Sequence, residues 1–389
     1  MHLVLATSLV PAGQPESGYE IANAAIADAF ARAGVRVTHL GFKWPDKPLA
    51  DPHNTHCLGS VQVRTADAGL GQKLIWQARS MAGNVPFVSA KLRVVPRRAV
   101  AEAIAAIGAD AMVVNGTALA GAFEPALTSD RFIYIAHNVE HESAADAARH
   151  AQEPVERFMY RREARLLEGL EQRLVGGARH VLTLSEEDRA AFGLAGSPRA
   201  GVLPLVTPAA DGASGPRVPA FDIGMIGSWT WAPNRIGLEW FLQHVMPHLP
   251  EQVTVAVAGA LPAGFPQRDR RVRFLGRVLD AKQFLRQCRV VALAARAGTG
   301  VQLKTIEVFE MGLPAVATPS SLRGIAQRPD NLRVADAPQA FGQALARLVV
   351  DHRTGAAGDV DGAAFRSAQI AGMDAAIGRA LEAISVNGR

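Results

Sequence analysis

Apolar residues along this chain fall into two alternating textures. Short, nearly continuous runs such as His2–Ser8 (HLVLATS), Asp110–Gly116 (DAMVVNG), Phe132–Asn138 (FIYIAHN) and His180–Ser185 (HVLTLS) are rich in aliphatic and β-branched residues. That is the pattern of strands buried on both faces. Longer segments between them repeat apolar positions at helical spacing and end on glycine, as in Gly18–Gly34 (GYEIANAAIADAFARAG) and Glu153–Gly177. Strand alternating with helix predicts a parallel sheet covered on both faces. The stretch 41–96, with mixed Pro, Gly and His, shows no clear period.

The alternation breaks at Thr207–Asp222 (TPAADGASGPRVPAFD), whose Pro, Gly, Ala and Ser read as a linker. It then restarts with strands in FDIGMIGS, VTVAVAG, VRFLGRV, RVVALAA and LPAVATP, and helices in PNRIGLEWFLQHVMPHL, AKQFLRQC and VQLKTIEVFEMG. The pattern predicts an α/β protein of two consecutive domains, 1–206 and 222–363, joined by 207–221. The 389 residues suit two domains of ordinary size.

Composition narrows the class. With 49% hydrophobic and 20% charged residues the chain has material for sizeable cores, which excludes disorder throughout. Two cysteines, Cys57 and Cys288, give neither a disulfide framework nor a metal knuckle and suit a reducing, cytoplasmic setting. The N-terminus lacks a basic region before its apolar run and reads as a strand rather than a signal peptide. No run reaches the roughly 18 apolar residues of a membrane span. The net charge of +5 is modest and fits either plain solubility or attraction to anionic partners, namely phosphorylated substrates or an acidic membrane surface. The basic clusters at 96–98 and 268–271 are short and lack interleaved aromatics, which argues against nucleic acid as a partner.

The most informative stretch is Gly298–Glu307 (GTGVQLKTIE), at a predicted strand-to-helix turn. It nearly matches a P-loop, with Gly298, Lys304 and Thr305 in register, but Leu303 stands where the second glycine belongs and would crowd a phosphate. Read mechanically, Gly298 and Gly300 permit a tight turn, the helix start offers amides and a positive dipole end to an anion, and Lys304 adds a cation. A plain solvated turn is the bland alternative. Ser228, Trp229, Trp231, Asn234 and Arg235 follow another strand end in GSWTWAPNR; the tryptophans either stack on a ligand or cap the core. His137, Glu140 and His141 in AHNVEHE match a zinc-protease spacing, but that motif belongs on a helix and here follows a strand. Ser185-Glu186-Glu187-Asp188 reads as a helix cap, and Asp359-Val360-Asp361 as a solvated loop. No metal site is therefore expected. Gly13 and Gly18 lie in the first strand-to-helix loop and are weak ligand candidates.

Residues 298–319 (GTGVQLKTIEVFEMGLPAVATP) resemble the donor-site segment of glycosyltransferases of the GT-B fold, in particular family 4 (group 1). The GSWTWAPN segment resembles the start of the second domain in a branch of that family. The resemblance implies two Rossmann-like domains facing each other across a cleft. The N-terminal domain would serve the acceptor side, with a C-terminal helix of about 364–389 crossing back onto it, and the C-terminal domain would bind a nucleotide sugar. It further implies that Gly298, Thr299, Gly300, Lys304 and Arg235 hold the donor diphosphate. Glu307 then accepts from the ribose hydroxyls, and His137 contacts the hexose. Many members carry a glutamate eight positions before the helix one; here that position is Thr299.

The implied activity is hexosyl transfer from a nucleotide diphosphate sugar to a hydroxyl of a carbohydrate or lipid-linked acceptor, in polysaccharide or glycolipid assembly. Anomeric configuration would be retained, with no metal and no cofactor beyond the donor. Peripheral association with an anionic membrane at its inner face fits the charge. The alternatives are a nucleotide-sugar epimerase on the same fold and a non-catalytic nucleotide-sugar or glycan-binding protein.

Overall fold

A computed structural model describes residues 1–13, 17–65, 67–128, 131–209, 217–266 and 269–385. The chain divides into two compact units, Met1–Leu205 with Ala371–Arg389, and Val206–Ile370. Of the predicted linker, residues 210–216 lie outside the described residues.

The first unit alternates β1 (His2–Leu9), α1 (Gly18–Arg32), β2 (Arg36–Lys43), β3 (Thr55–Ser60), α2 (Leu70–Gly83), α3 (Phe87–Ala90), α4 (Arg97–Ile107), β4 (Ala111–Asn115), α5 (Thr117–Leu127), β5 (Phe132–Ala136), α6 (Glu140–His150), α7 (Pro154–Gly177), β6 (His180–Thr183), α8 (Glu186–Ala191) and β7 (Ala200–Val202). Its seven strands pair in parallel in the order β3-β2-β1-β4-β5-β6-β7. The central strands β1, β4 and β5 are buried almost throughout, which is why they read as continuous apolar runs. β3 (THCLGS) is a half-exposed edge strand, so it lacked that signature. Local chemistry sets the helix starts: Ser17 caps α1 in a capping box with Glu20, and Ser185 accepts from the Asp188 amide to start α8.

The second unit carries β8 (Phe221–Ile226), α9 (Ala232–Trp240), β9 (Val255–Ala258), β10 (Val272–Gly276), α10 (Ala281–Arg286), β11 (Cys288–Leu293), α11 (Leu303–Glu310), β12 (Ala315–Ala317), β13 (Leu332–Val334) and α12 (Pro338–Arg353). Its six strands are also parallel, in the order β10-β9-β8-β11-β12-β13. The single helix expected over 233–249 ends early: after α9 the backbone widens into a π turn at Phe241–Val245 and tightens into a 3-10 turn at Met246–His248. Pro247 has no amide to continue the ladder.

Helix α13 (Gly362–Ser385) starts in the second unit, where Phe365 meets Phe309 edge-on at 5.4 Å between ring centroids. From Ala371 onward its residues group with the first unit. There Asp374 pairs with Arg32 at 2.7 Å.

Both sheets reverse strand order once, between β1 and β4 and between β8 and β11. In open parallel sheets such a switch point, at the carboxyl ends of the strands, is where ligands bind.

Candidate active site

At the switch point of the second sheet, the segment after β8 (Gly227–Trp231) and the segment after β11 (Ala294–Gln302) are neighbours by topology. Helix α9 reaches this edge so closely that a Cβ on Gly237 would collide with the Ala294 carbonyl. Gly298 adopts φ +102, a backbone that side chains rarely allow. Gln302 then begins α11 in extended conformation and provides no side-chain cap, so the helix start offers its first amides outward.

Lys304, in the first turn of α11, donates to the Asn234 side-chain oxygen at 3.1 Å, and the Asn234 amide donates to the Ser228 carbonyl at 3.2 Å. One lysine thereby ties the two loops together. No described carboxylate pairs with Lys304, and burial pulls its ammonium down to about 8. A half-buried cation without a counter-charge is poised for an anion. Glu307, three residues on and so one turn along the helix, is also raised, chiefly by burial; Lys282 opposes that, and Glu310 and Asp280 reinforce it.

The structure sorts the other candidates. Ser228 and Asn234 join Lys304. Trp229 does not contact a ligand space: it is 2% exposed, packs in the core, and donates its indole N–H to the Ala258 carbonyl at 2.9 Å. Its stacking role is therefore corrected to a structural one, because a buried indole needs that partner. Its face lies 5.8 Å beneath the Lys304 ammonium, a cation–π support for the site. Trp231 is 55% exposed at the N-cap of α9. Arg235 points along its own helix to Glu239 at 3.6 Å, rather than into the Lys304 cluster. Gly300 has open space around it.

In the first sheet His137 directly follows β5, the strand next to β4 and so one strand from the switch point. Its Nε2 meets the Asn115 side-chain oxygen at 2.7 Å. Asn115 donates to Asn23 at 2.8 Å, and Asn23 donates to the Thr7 hydroxyl at 3.1 Å. Thr7 shares a hydrogen with Tyr19 at 2.8 Å, whose ring lies 5.2 Å from that of His137. Because Asn115 presents its carbonyl, Nε2 of His137 is the donor and Nδ1 keeps a lone pair. Burial lowers His137 to about 4, so it is neutral across the physiological range.

The zinc-protease arrangement is not formed: α6 begins only at Glu140, and His141 turns to Glu171 at 2.6 Å while His137 turns to Asn115. Glu140 is pushed up to about 7, mainly by burial, against the pull of Thr117 and with Glu171 and Glu163 adding to the rise. Among the described residues no cluster of three or more His, Cys, Asp or Glu is placed to hold a metal. Gly13 (φ +55) follows β1 and Gly18 is the first residue of α1, with 14–16 between them outside the described residues.

The residues that sequence reading passed over are Thr7, Tyr19, Asn23 and Asn115, which hold His137. One signal was available: Asn23 falls on the face of α1 that buries Ala22 and Ile26, and a core-facing amide requires partners.

Residues 220–351 match the family model for "Glycosyl transferases group 1", so the second unit carries a domain of that family. No curated protein matches the chain in sequence. Solved structures align over nearly the whole length. Sucrose-phosphate synthase from Thermosynechococcus elongatus has a TM-score of 0.61 at 16% identity, covering 99% of this chain and 98% of that one. HepE from Anabaena, in complex with UDP and glucose, has a TM-score of 0.60 at 16% identity, covering 98% and 99%. The catalytic domain of starch synthase IV from Arabidopsis thaliana, bound to ADP and acarbose, has a TM-score of 0.59 at 12% identity, covering 99% of each. At these identities the structures establish the fold, which is GT-B. The chain thus combines the GT-B fold with a group 1 glycosyltransferase domain in its second unit.

Proposed function

We propose that the chain transfers a hexose from a nucleoside diphosphate sugar to a hydroxyl of a carbohydrate or lipid-linked acceptor, with retention of anomeric configuration. The observation that carries the reading is the Ser228–Asn234–Lys304 cluster beside the uncapped start of α11, with Glu307 one turn further on. A departing diphosphate develops negative charge, and amides with a lysine ammonium stabilise it without reorganising. This supports leaving-group stabilisation by the chain itself, and the reading requires no metal and no further cofactor. Glu307 suits a ribose, since a carboxylate accepts from two adjacent hydroxyls. Relatives of the same fold crystallised with UDP or ADP support a nucleoside diphosphate as the ligand class.

In the first unit, neutral His137 is held in one tautomer by Asn115, and its Nδ1 lone pair is suited to accept from a sugar hydroxyl. Thr299, at the position where many relatives carry a glutamate, assigns that hydroxyl contact to a neutral group. The test is a thermal-shift screen with UDP, GDP and ADP, followed by incubation with the matching sugars. A native-state ligand raises the unfolding temperature, and slow donor hydrolysis supports the transferase. Tight binding with no turnover over days would favour a non-catalytic binding protein, and no stabilisation by any nucleotide would remove the donor site from α11.

A further inference from the structure

Helix α2 has 14 residues but buries only two, Trp76 and Ser80. Trp76 anchors it, edge-on to Phe87 at 6.1 Å between ring centroids. A helix finished by water turns its polar face outward. Instead α2 exposes Leu70, Leu74 and Ile75 at 81%, 69% and 47%. Helix α7 behaves alike in its first half: its buried residues, Leu167, Leu170, Glu171 and Leu174, all lie in the second half, while Val155 and Phe158 are 73% and 58% exposed.

The two helices are neighbours. The Gln77 amide reaches the Met159 sulfur at 3.9 Å, and Arg162 donates to the hydroxyl and carbonyl of Ser80, both at 2.9 Å. The paired positions advance together, 77 with 159 and 80 with 162, so the helices run parallel. Leu74 and Val155 therefore fall at the same end, and the exposed aliphatic and aromatic side chains gather there. Scattered exposed leucines need no explanation, but a cluster on two adjacent helices does.

Charge identifies what covers it. Helix α2 carries Lys73 and Arg79 and no acid, and the first half of α7 carries Arg157, Arg161 and Arg165 on exposed or half-exposed positions. Of the two acids there, Glu163 is turned inward onto the Phe87 and Val88 amides at 2.7 and 3.4 Å, leaving Glu156. Arg165 lines shallow cavities on both flanks of α7, of about 350 and 340 Å³, shared with Arg149, Arg161 and Glu168 on one side and with Arg93, Arg97 and Glu124 on the other, so arginines outnumber acids in each.

We propose that this face of the first unit docks peripherally on an anionic lipid surface. The apolar end enters the boundary of headgroups and acyl chains, and the arginines engage lipid phosphates. Apolar anchors with a rim that is positive in balance suit that partner. A second copy of the chain would set basic rim against basic rim across a two-fold interface. No described helix is long and apolar enough to cross a membrane, so contact is from the surface. The proposal rests on the surface alone and stands whether or not the donor site is as read above.

The experiment is co-sedimentation of the full chain with phosphatidylcholine vesicles with and without phosphatidylglycerol. The expected result is pelleting with phosphatidylglycerol that weakens as salt rises, and little pelleting on phosphatidylcholine alone. Each arginine lost at the surface weakens partition by roughly fivefold. Arg161→Glu with Arg165→Glu, and separately Leu74→Glu with Phe158→Glu, are therefore expected to release the protein from vesicles with unchanged unfolding temperatures, because these side chains are exposed. Wild-type protein that stays in the supernatant, or variants that pellet as well as wild type, would overturn the proposal. So would a dimer seen by light scattering without vesicles and dissolved by Leu74→Glu, since the patch would then belong to a second copy.

Discussion

Replacing Lys304 with methionine tests the site through two opposed effects. Burial lowers the lysine from its ordinary 10.5 to about 8. At about 1.4 kcal/mol per unit, the full shift corresponds to a ceiling of about 3.5 kcal/mol, and partial exposure of the residue reduces this to on the order of 2 kcal/mol. The folded state therefore disfavours the charged form. The penalty is fully present below about 8 and vanishes as pH rises through the unfolded value of 10.5. Lys304→Met is accordingly expected to raise stability near pH 7 by on the order of 1–2 kcal/mol, allowing for the lost bond to Asn234.

The same change is expected to weaken nucleoside diphosphate binding by roughly 10- to 150-fold, the loss of a charge-assisted hydrogen bond of about 1.5–3 kcal/mol. Wild-type affinity should hold steady from pH 7 to about 8 and fall above it as Lys304 loses its proton. Binding near pH 8 should take up protons, because an apposed anion raises the lysine again. Calorimetry in buffers of differing ionisation enthalpy reads this uptake, and urea unfolding reads the stability. A variant with unchanged diphosphate affinity, or wild-type binding flat in pH from 7 to 9 with no proton uptake, would refute the assignment of Lys304 to the diphosphate.

Three further expectations follow from the same geometry. Glu307→Ala should weaken nucleotide binding by about 1.5–3 kcal/mol in calorimetry, and a loss equal for ribose and 2′,3′-dideoxyribose nucleotides would remove Glu307 from the ribose. Trp229→Ala should cost about 3–5 kcal/mol of stability in denaturant unfolding, because it empties a core position and removes the indole hydrogen bond to the Ala258 carbonyl; a small cost would show that Trp229 is not core. Glu140 keeps its proton to about 7 in the folded chain against an ordinary 4.5, so stability should fall as pH rises from about 4.5 to 7. Glu140→Gln should flatten that decline by on the order of 2 kcal/mol, and an unchanged pH–stability curve would contradict the burial of this carboxyl.

Most of the second unit and the centre of the first could be read from residues in order. β8, β11 and α11 announce themselves because strands buried on both faces are continuous apolar runs, and a helix start after glycines has a fixed local chemistry. The edge strands β3 and β13 did not, because half-exposed strands mix polar and apolar residues without a run. The loop Gly298–Gly300, Lys304 and Glu307 were legible as one linear motif.

What order along the chain could not decide was partnership across the sheet. Trp229 and Trp231 look equivalent in sequence, yet one is core and the other exposed, because only the packing of β9 beside β8 supplies the Ala258 carbonyl to one indole. Arg235 looked like a site cation and instead pairs with Glu239 four residues along. His137 was visible, but the chain Thr7–Asn23–Asn115 that fixes its tautomer joins two strands and a helix far apart in sequence. Hydrophobic periodicity reports which face of an element is buried; which polar groups meet at the end of that element depends on strand order, and tertiary structure alone set it.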